Sequence, residues 1–282
     1  MTARIGLALG GGGARGGVHV RVLEMLDDMG VQPAVISGTS IGAIVGALYG
    51  AGLSGKQIRE RVEKITISEK DTWRDIFDKR KNLLRWVDAL IPEVGSGGLL
   101  RSDKFVEYLF EDLEAERFED LRIEMKIVCC DFWTAEEVVF DSGSLMAPLK
   151  ATMAVPGVFA PVLLQDRVLI DGGVVNPVPF ELILNACDVS IAVDIGAERV
   201  QGERQLPGVF DAIFGTFQIL QRALMNEKLE HARPDIYLRP EIRDVRLMQF
   251  DKMNQVYEQS LPALEQMKKE LGGLLQPDAG AG

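Results

Sequence analysis

Residues 33–52 constrain this chain more than any other stretch. An apolar run, Pro33-Ala34-Val35-Ile36-Ser37, gives way to Gly38-Thr39-Ser40-Ile41-Gly42 and then to a small-residue segment. The pattern predicts a strand over 33–37, a sharp turn at Ser40 and a helix over 41–52. Gly38 and Gly42 remove side chains that would collide across so tight a turn. A hydroxyl raised on such an elbow is a candidate nucleophile, although the pentapeptide alone also fits an ordinary turn. Gly42, Ala43, Gly46, Ala47 and Gly50 would weaken an exposed helix, so they predict close packing against neighbouring backbone.

The remainder reads as an α/β chain. Strands are expected at 4–9, 125–130, 138–140, 168–170, 189–194 and 235–238, and helices at 14–29, 180–186 and 210–232. With 282 residues, 47% of them apolar, and no linker or internal repeat, one domain over 1–274 with a frayed tail at 275–282 is expected. Gly10, Ser40 and Asp171 each fall just past an apolar run, where sites in such sheets gather.

A formal net charge of −11 argues against nucleic acid as the main partner, because neutralising phosphates needs a basic face. The three cysteines, Cys129, Cys130 and Cys187, lack metal-type spacing and read as reduced core residues. The opening apolar run is too short for a signal or spanning segment, which makes a cytoplasmic protein the expectation.

Gly10-Gly11-Gly12-Gly13-Ala14-Arg15-Gly16 places several backbone N–H groups at a helix start, where they can face one negatively charged atom. Acyl transfer needs such an oxyanion hole, with Gly11, Gly12 and Gly13 as its donors. Arg15 would either support that charge or hold the loop. The same residues formally match the dinucleotide fingerprint, but the second strand ends in Ser37-Gly38 without the acid that would bind a ribose. A mononucleotide P-loop fails because Gly17 and Val18 follow Gly16 instead of Lys and Ser or Thr.

Asp171, in Asp171-Gly172-Gly173, follows the apolar run Val168-Leu169-Ile170 and is the candidate base, with the two glycines letting the chain leave the sheet beside a ligand. An aspartate at a strand end is also a common turn-former. The histidines decide the weighting. Only two exist; His19 lies among apolar helix residues, and His231 lies at a charged helix end. Neither is placed for a Ser-His-Asp triad. A direct Ser40–Asp171 dyad remains, and it requires partial desolvation of the carboxylate together with oxyanion donors.

Taken together, Gly11-Gly12-Gly13-Ala14-Arg15-Gly16, Gly38-Thr39-Ser40-Ile41-Gly42 and Asp171-Gly172-Gly173 resemble the patatin-like phospholipase family. A fourth segment, Ala151-Thr152-Met153-Ala154-Val155-Pro156-Gly157-Val158-Phe159, resembles the family's Ala-Ser-x-Ala-x-Pro-x-x-Phe block with Thr152 for Ser. The resemblance spans about residues 4–196. It implies a three-layer α/β/α sandwich with a mostly parallel central sheet, a Ser40–Asp171 dyad cleaving fatty acyl esters of phospholipids or lysophospholipids, and no metal or organic cofactor. Acyl transfer to a second alcohol or a thiol would use the same residues, and an idle lipid-binding protein would keep the motifs without turnover. Arg21 stands where small bacterial members often have Gly.

Residues 71–98 mix Trp73, Phe77, Trp86 and other apolar side chains with Arg74, Lys79, Arg80, Lys81 and Arg85. They suggest a cap over an acyl groove, with 73–91 as a peripheral membrane contact at the inner face or an ordinary solvated cover, and Gly95-Ser96-Gly97-Gly98 as its hinge. Phe210, Ile213, Phe214, Phe217, Leu220 and Leu224 recur at helical spacing, which core or subunit packing explains first and the lining of an acyl groove second. Nothing in the sequence reads out oligomeric state.

Overall fold

The first strand, β1 (Ile5–Leu9), is wholly buried and alternates between two cores. Leu7 and Leu9 join a large apolar cluster with Val22, Leu26, Ile44 and Leu48, whereas Ala8 joins a smaller one with Phe180, Ile183 and Met225. A strand covered on both faces is the middle of a layered α/β structure. The computed structural model describes residues 3–64, 102–197, 206 and 208–276. The expected cap at 71–98 and membrane contact at 73–91 lie outside the described residues.

Among the described residues, eight strands form one mixed sheet, which helices flank in a three-layer α/β/α arrangement. Beyond β1 they are β2 (Val35–Thr39), β3 (Glu124–Asp131), β4 (Glu137–Phe140), β5 (Val162–Leu164), β6 (Arg167–Asp171), β7 (Val189–Val193) and β8 (Ile236–Leu238). The order is β5-β6-β3-β2-β1-β7-β8, with β4 also on β3. The expected parallel pairing holds from β3 through β2, β1 and β7 to β8. At the other end, β3–β4, β3–β6 and β5–β6 are antiparallel.

The registers on β3 bring the end of β2, just before Ser40, together with Asp171. β2 pairs with residues 124–128 of β3, β4 with 127–130 and β6 with 129–131. A strand has two edges, and β4 overlaps both of the others, so β2 and β6 follow one another along the opposite edge. Thr39 is opposite Val128, and Asp171 is opposite the next residue, Cys129. The chain leaving β2 therefore meets the end of β6 at a seam.

Helices α1 (Gly17–Asp28), α2 (Ile41–Gly50), α3 (Gly55–Glu63), α4 (Asp103–Phe110), α5 (Met146–Thr152) and α7 (Met253–Leu275) contribute to the larger core. α6 (Val209–His231) contributes Met225 to the smaller one. α3 opens with a capping box: Ser54 Oγ accepts from the Gln57 amide and Gln57 Oε1 from the Ser54 amide. The helix expected over 14–29 is divided into a 3-10 turn, Gly13–Gly16, and α1. That expected over 180–186 is two short 3-10 turns. Cys187 is already extended and Asp188 N–H donates to Arg4 O at the start of β7, leaving too little chain for a regular helix.

All three cysteines are free thiols. Cys129 and Cys130 are buried as expected, whereas Cys187 is only partly buried.

Candidate active site

Ser40 closes β2 and precedes α2 with φ 55° and ψ −127°, a left-handed conformation that a residue with a Cβ seldom adopts. Neighbouring glycines make the turn feasible. A Cβ on Gly42 would lie 2.1 Å from Leu9 O, and one on Gly38 would lie 2.6 Å from the Ala43 Cα. The small residues of α2 therefore allow backbone to press on backbone, as their pattern predicts. Strain of this kind on a polar residue, held by packing on both sides, is typical of functional turns.

The Ser40 amide is fixed by Thr152, whose Oγ1 accepts from it at 2.8 Å and donates to Val128 O at 2.6 Å. Thr152 thus ties the end of α5 to the elbow and to β3. Thr39 Oγ1 donates to Asn176 O at 2.9 Å and Ser37 Oγ to Pro179 O at 2.8 Å. The segment after Asp171 is accordingly stitched along β2, residue by residue.

Asp171 ends β6, 3% exposed, and one carboxylate oxygen accepts from the Gly173 amide at 2.7 Å. Burial lifts its pKa to about 6, while hydrogen bonding from Ser40 and Gly173 works against that rise. Gly172 is needed for the exit, since a Cβ there would lie 2.3 Å from Val128 O. Gln221, from α6, donates to Gly173 O at 3.1 Å and pins the turn from outside. The Ser40 hydroxyl lies 3.9 Å from Met153 Sδ.

Ser40 and Asp171 line one pocket together with Gly11, Gly12, Arg15, Val155, Phe214, Phe217, Gln218, Gln221 and Leu247. It is narrow, about 20 Å³, room for one water-sized group. Arg15, Phe214, Gln218 and Leu247 also border an open cleft of about 790 Å³, a size that holds a small-molecule ligand. Phe214 and Phe217 thus face the site, whereas Ile213 and Leu220, read from the same periodicity as packing residues, are exposed.

The glycine loop stands beside this pocket in a strained form. Gly13 has φ 59°, and a Cβ on it would lie 2.2 Å from Leu247 O. Three donors were expected here, but the Gly11 amide donates to Pro177 O at 3.0 Å. The amides of Gly12 and Gly13 carry no such bond among the described residues. Arg15 is buried, donating from Nε to Ile195 O at 2.7 Å and from Nη1 to Val245 O at 3.1 Å. Of its two expected roles, the bonds are those of a loop holder. Burial lowers its pKa to about 10, so the guanidinium still carries charge at neutral pH.

Neither histidine reaches the pocket. His19 is fully buried in α1 with Nε2 2.7 Å from Gly10 O, and burial holds its pKa near 4, so the ring is neutral. His231 is exposed, its Nδ1 2.9 Å from Glu227 O. Asp194 is spoken for by Arg239 Nη1 at 2.8 Å and Tyr237 Oη at 2.5 Å. Among the described residues no group of His, Cys, Asp and Glu is arranged to hold a metal ion.

A family model described as patatin-like phospholipase matches residues 7–184, a span running from β1 through the elbow and past Asp171. The chain belongs to the patatin-like phospholipase family. An NTE family protein of Mycobacterium tuberculosis is 33% identical over 199 residues, covering 70% of this chain and 51% of its own. Lysophospholipase NTE1 of Saccharomyces cerevisiae is 26% identical over 279 residues, covering 90% of this chain and 16% of its own. Patatin-like phospholipase domain-containing protein 6 of Mus musculus is 26% identical over 284 residues, covering 90% and 20%. This patatin-like chain thus spans about half, or much less, of the length of these relatives.

Thr152, Asn176 and Gln221 carry bonds that sequence reading assigned to none of them. Thr152 stands in the block that resembles the family's Ala-Ser-x-Ala-x-Pro-x-x-Phe, and that is its signal. Asn176 and Gln221 act across separations of 137 and 48 residues, with no local pattern to mark them.

Proposed function

We propose that this chain is a serine acyl hydrolase that cleaves fatty acyl esters of phospholipids or lysophospholipids with Ser40 as nucleophile and Asp171 as base. The observation that carries this reading is one shared pocket: a serine on a strained elbow, a buried aspartate and a glycine loop, with both histidines elsewhere. The family and the name of the yeast relative, lysophospholipase, support the substrate class.

In this reading Asp171 takes the proton of the Ser40 hydroxyl as Oγ attacks the ester carbonyl. The Gly12 and Gly13 amides stabilise the oxyanion, and each such donor is worth a rate factor of about 100 to 1,000. Collapse expels the alcohol, which receives the proton from Asp171 and leaves an acyl-enzyme. Water then loses a proton to Asp171 and attacks the acyl carbon, restoring Ser40. A carboxyl titrating near 6 is mostly ionised at neutral pH yet basic enough to share the proton.

Incubating wild type and Ser40→Ala with a mixed lipid extract, followed by mass analysis of released fatty acids, tests the proposal. Acid release by wild type alone, together with fluorophosphonate labelling lost in Ser40→Ala, is expected. Equal release by both proteins would overturn the assignment.

A further inference from the structure

β3 does not stop at the catalytic seam. Past Asp131 the chain continues through Phe132, whose amide donates to Val168 O at 2.8 Å, and turns at Trp133. Val168 is in turn opposite Leu163 on β5. Residues paired directly across antiparallel strands share a face, so Phe132, Val168 and Leu163 form a row across three strands. Phe132 is 52% exposed, Trp133 76% and Leu163 73%. The Trp133 ring stands edge-on to Phe132, centroids 5.0 Å apart. Asp131 Oδ1 accepts from the Trp133 amide at 3.0 Å, bracing the turn.

The placement of this row matters. Phe132 is three residues beyond Cys129, the partner of Asp171, on a strand parallel to β2. At roughly 3.3 Å per residue it lies about 10 Å past the level of the base, in the direction in which β2 delivers Ser40. A surface met by these side chains is met at the edge of the sheet that carries the candidate site.

We infer that Phe132, Trp133 and Leu163 dock this protein onto a zwitterionic lipid surface. A tryptophan ring, apolar with one polar N–H, settles at membrane interfaces, and Phe132 and Leu163 extend the apolar area beside it. The charge around the row selects the kind of surface. Glu136 and Asp166 are exposed beside it, against Arg167, and the chain as a whole carries −11. That balance repels anionic lipid, whereas an outward-facing quaternary ammonium is drawn both to carboxylates and to an indole face. The choice of lipid as occupant rests on the acyl-ester reading; the exposed row itself does not.

The chain has three tryptophans, so Trp73→Phe with Trp86→Phe leaves Trp133 as sole reporter. With phosphatidylcholine vesicles its emission shifts to the blue, brominated phosphatidylcholine quenches it, and the protein floats with the vesicles; phosphatidylglycerol vesicles give less of each. In the otherwise natural chain, Phe132→Ser with Trp133→Ser and Leu163→Ser lowers partitioning at least about 10-fold, while turnover of a water-soluble short-chain ester stays within about twofold. Undiminished flotation of that variant, a preference for phosphatidylglycerol, or a lipid-free dimer that the variant abolishes would overturn the inference, the last by assigning the row to a second copy. Wild type that floats but cleaves no soluble ester would instead sink the acyl-ester reading.

Discussion

The backbone amide of Ser40 donates to Thr152 Oγ1, and the same hydroxyl donates onward to Val128 O. One side chain therefore sets the height of the elbow against the strand that also carries Asp171 opposite Cys129. Thr152→Val keeps the shape but orphans a buried donor and a buried acceptor, at about 1–3 kcal/mol each. It is expected to lower the denaturation midpoint and to cut turnover more than tenfold, while Thr152→Ser retains both. Equal loss in the two variants would show that the hydroxyl is not what counts.

If Asp171 is the base, as proposed, its titration near 6 gives turnover an ascending limb centred there, level by about pH 7. Asp171→Asn removes the limb and lowers turnover at least about 1,000-fold, as does Ser40→Ala. Initial rates on a soluble ester between pH 4 and 8 measure both.

The same carboxyl makes a stability prediction of opposite sense. Its folded pKa, about 6, lies above the value near 4 of an unfolded aspartate, so the folded chain holds the proton more tightly. This contribution is complete below about pH 4 and is lost as pH rises through about 6. Asp171→Asn lacks that loss and is expected to be more stable than wild type above pH 6, by up to about 3 kcal/mol. Thermal melts at pH 4 and pH 7.5 check the sign.

His231→Ala, an exposed change, is expected to leave the melting temperature unchanged and turnover within about twofold of wild type. His19→Ala empties a buried site and leaves Gly10 O unbonded, costing about 1–3 kcal/mol but much less activity than Ser40→Ala. A folded His231→Ala as inactive as Ser40→Ala would replace the dyad with a triad.

Gly13→Ala places a methyl 2.2 Å from Leu247 O and is expected to abolish turnover. Gly143→Ala is its control: φ is also positive, at 79°, but nothing lies within 4 Å, so only the roughly 1–2 kcal/mol backbone cost applies. Comparing urea midpoints and rates separates collision from conformation.

The elbow, the glycine loop and the Asp171 turn were legible because each is written within a few consecutive residues. The parallel strands were legible for a similar reason, as apolar runs bounded by glycine or polar residues. Long-range joins were not. Thr152 reaches Ser40 across 112 residues, and the consumption of the Gly11 amide by Pro177 depends on how the two loops pack. Short strand β5 and the breaking of 180–186 into 3-10 turns likewise follow from neighbours rather than propensity. Helix α7, with Pro262 inside it, is not among the expected elements, although its C-terminal half contributes Leu264, Met267 and Leu271 to the core.

Because β2 and β6 abut on one edge of β3, the spacing between Ser40 and Asp171 is measured along a ruler that neither of them supplies. The stretch joining them can gain or lose loops without moving either mark, which leaves evolution free to rebuild everything around a fixed gauge. What that gauge cannot absorb is a slip of β6 by a single notch, which would turn the carboxyl through the sheet to its far side while leaving every strand in place.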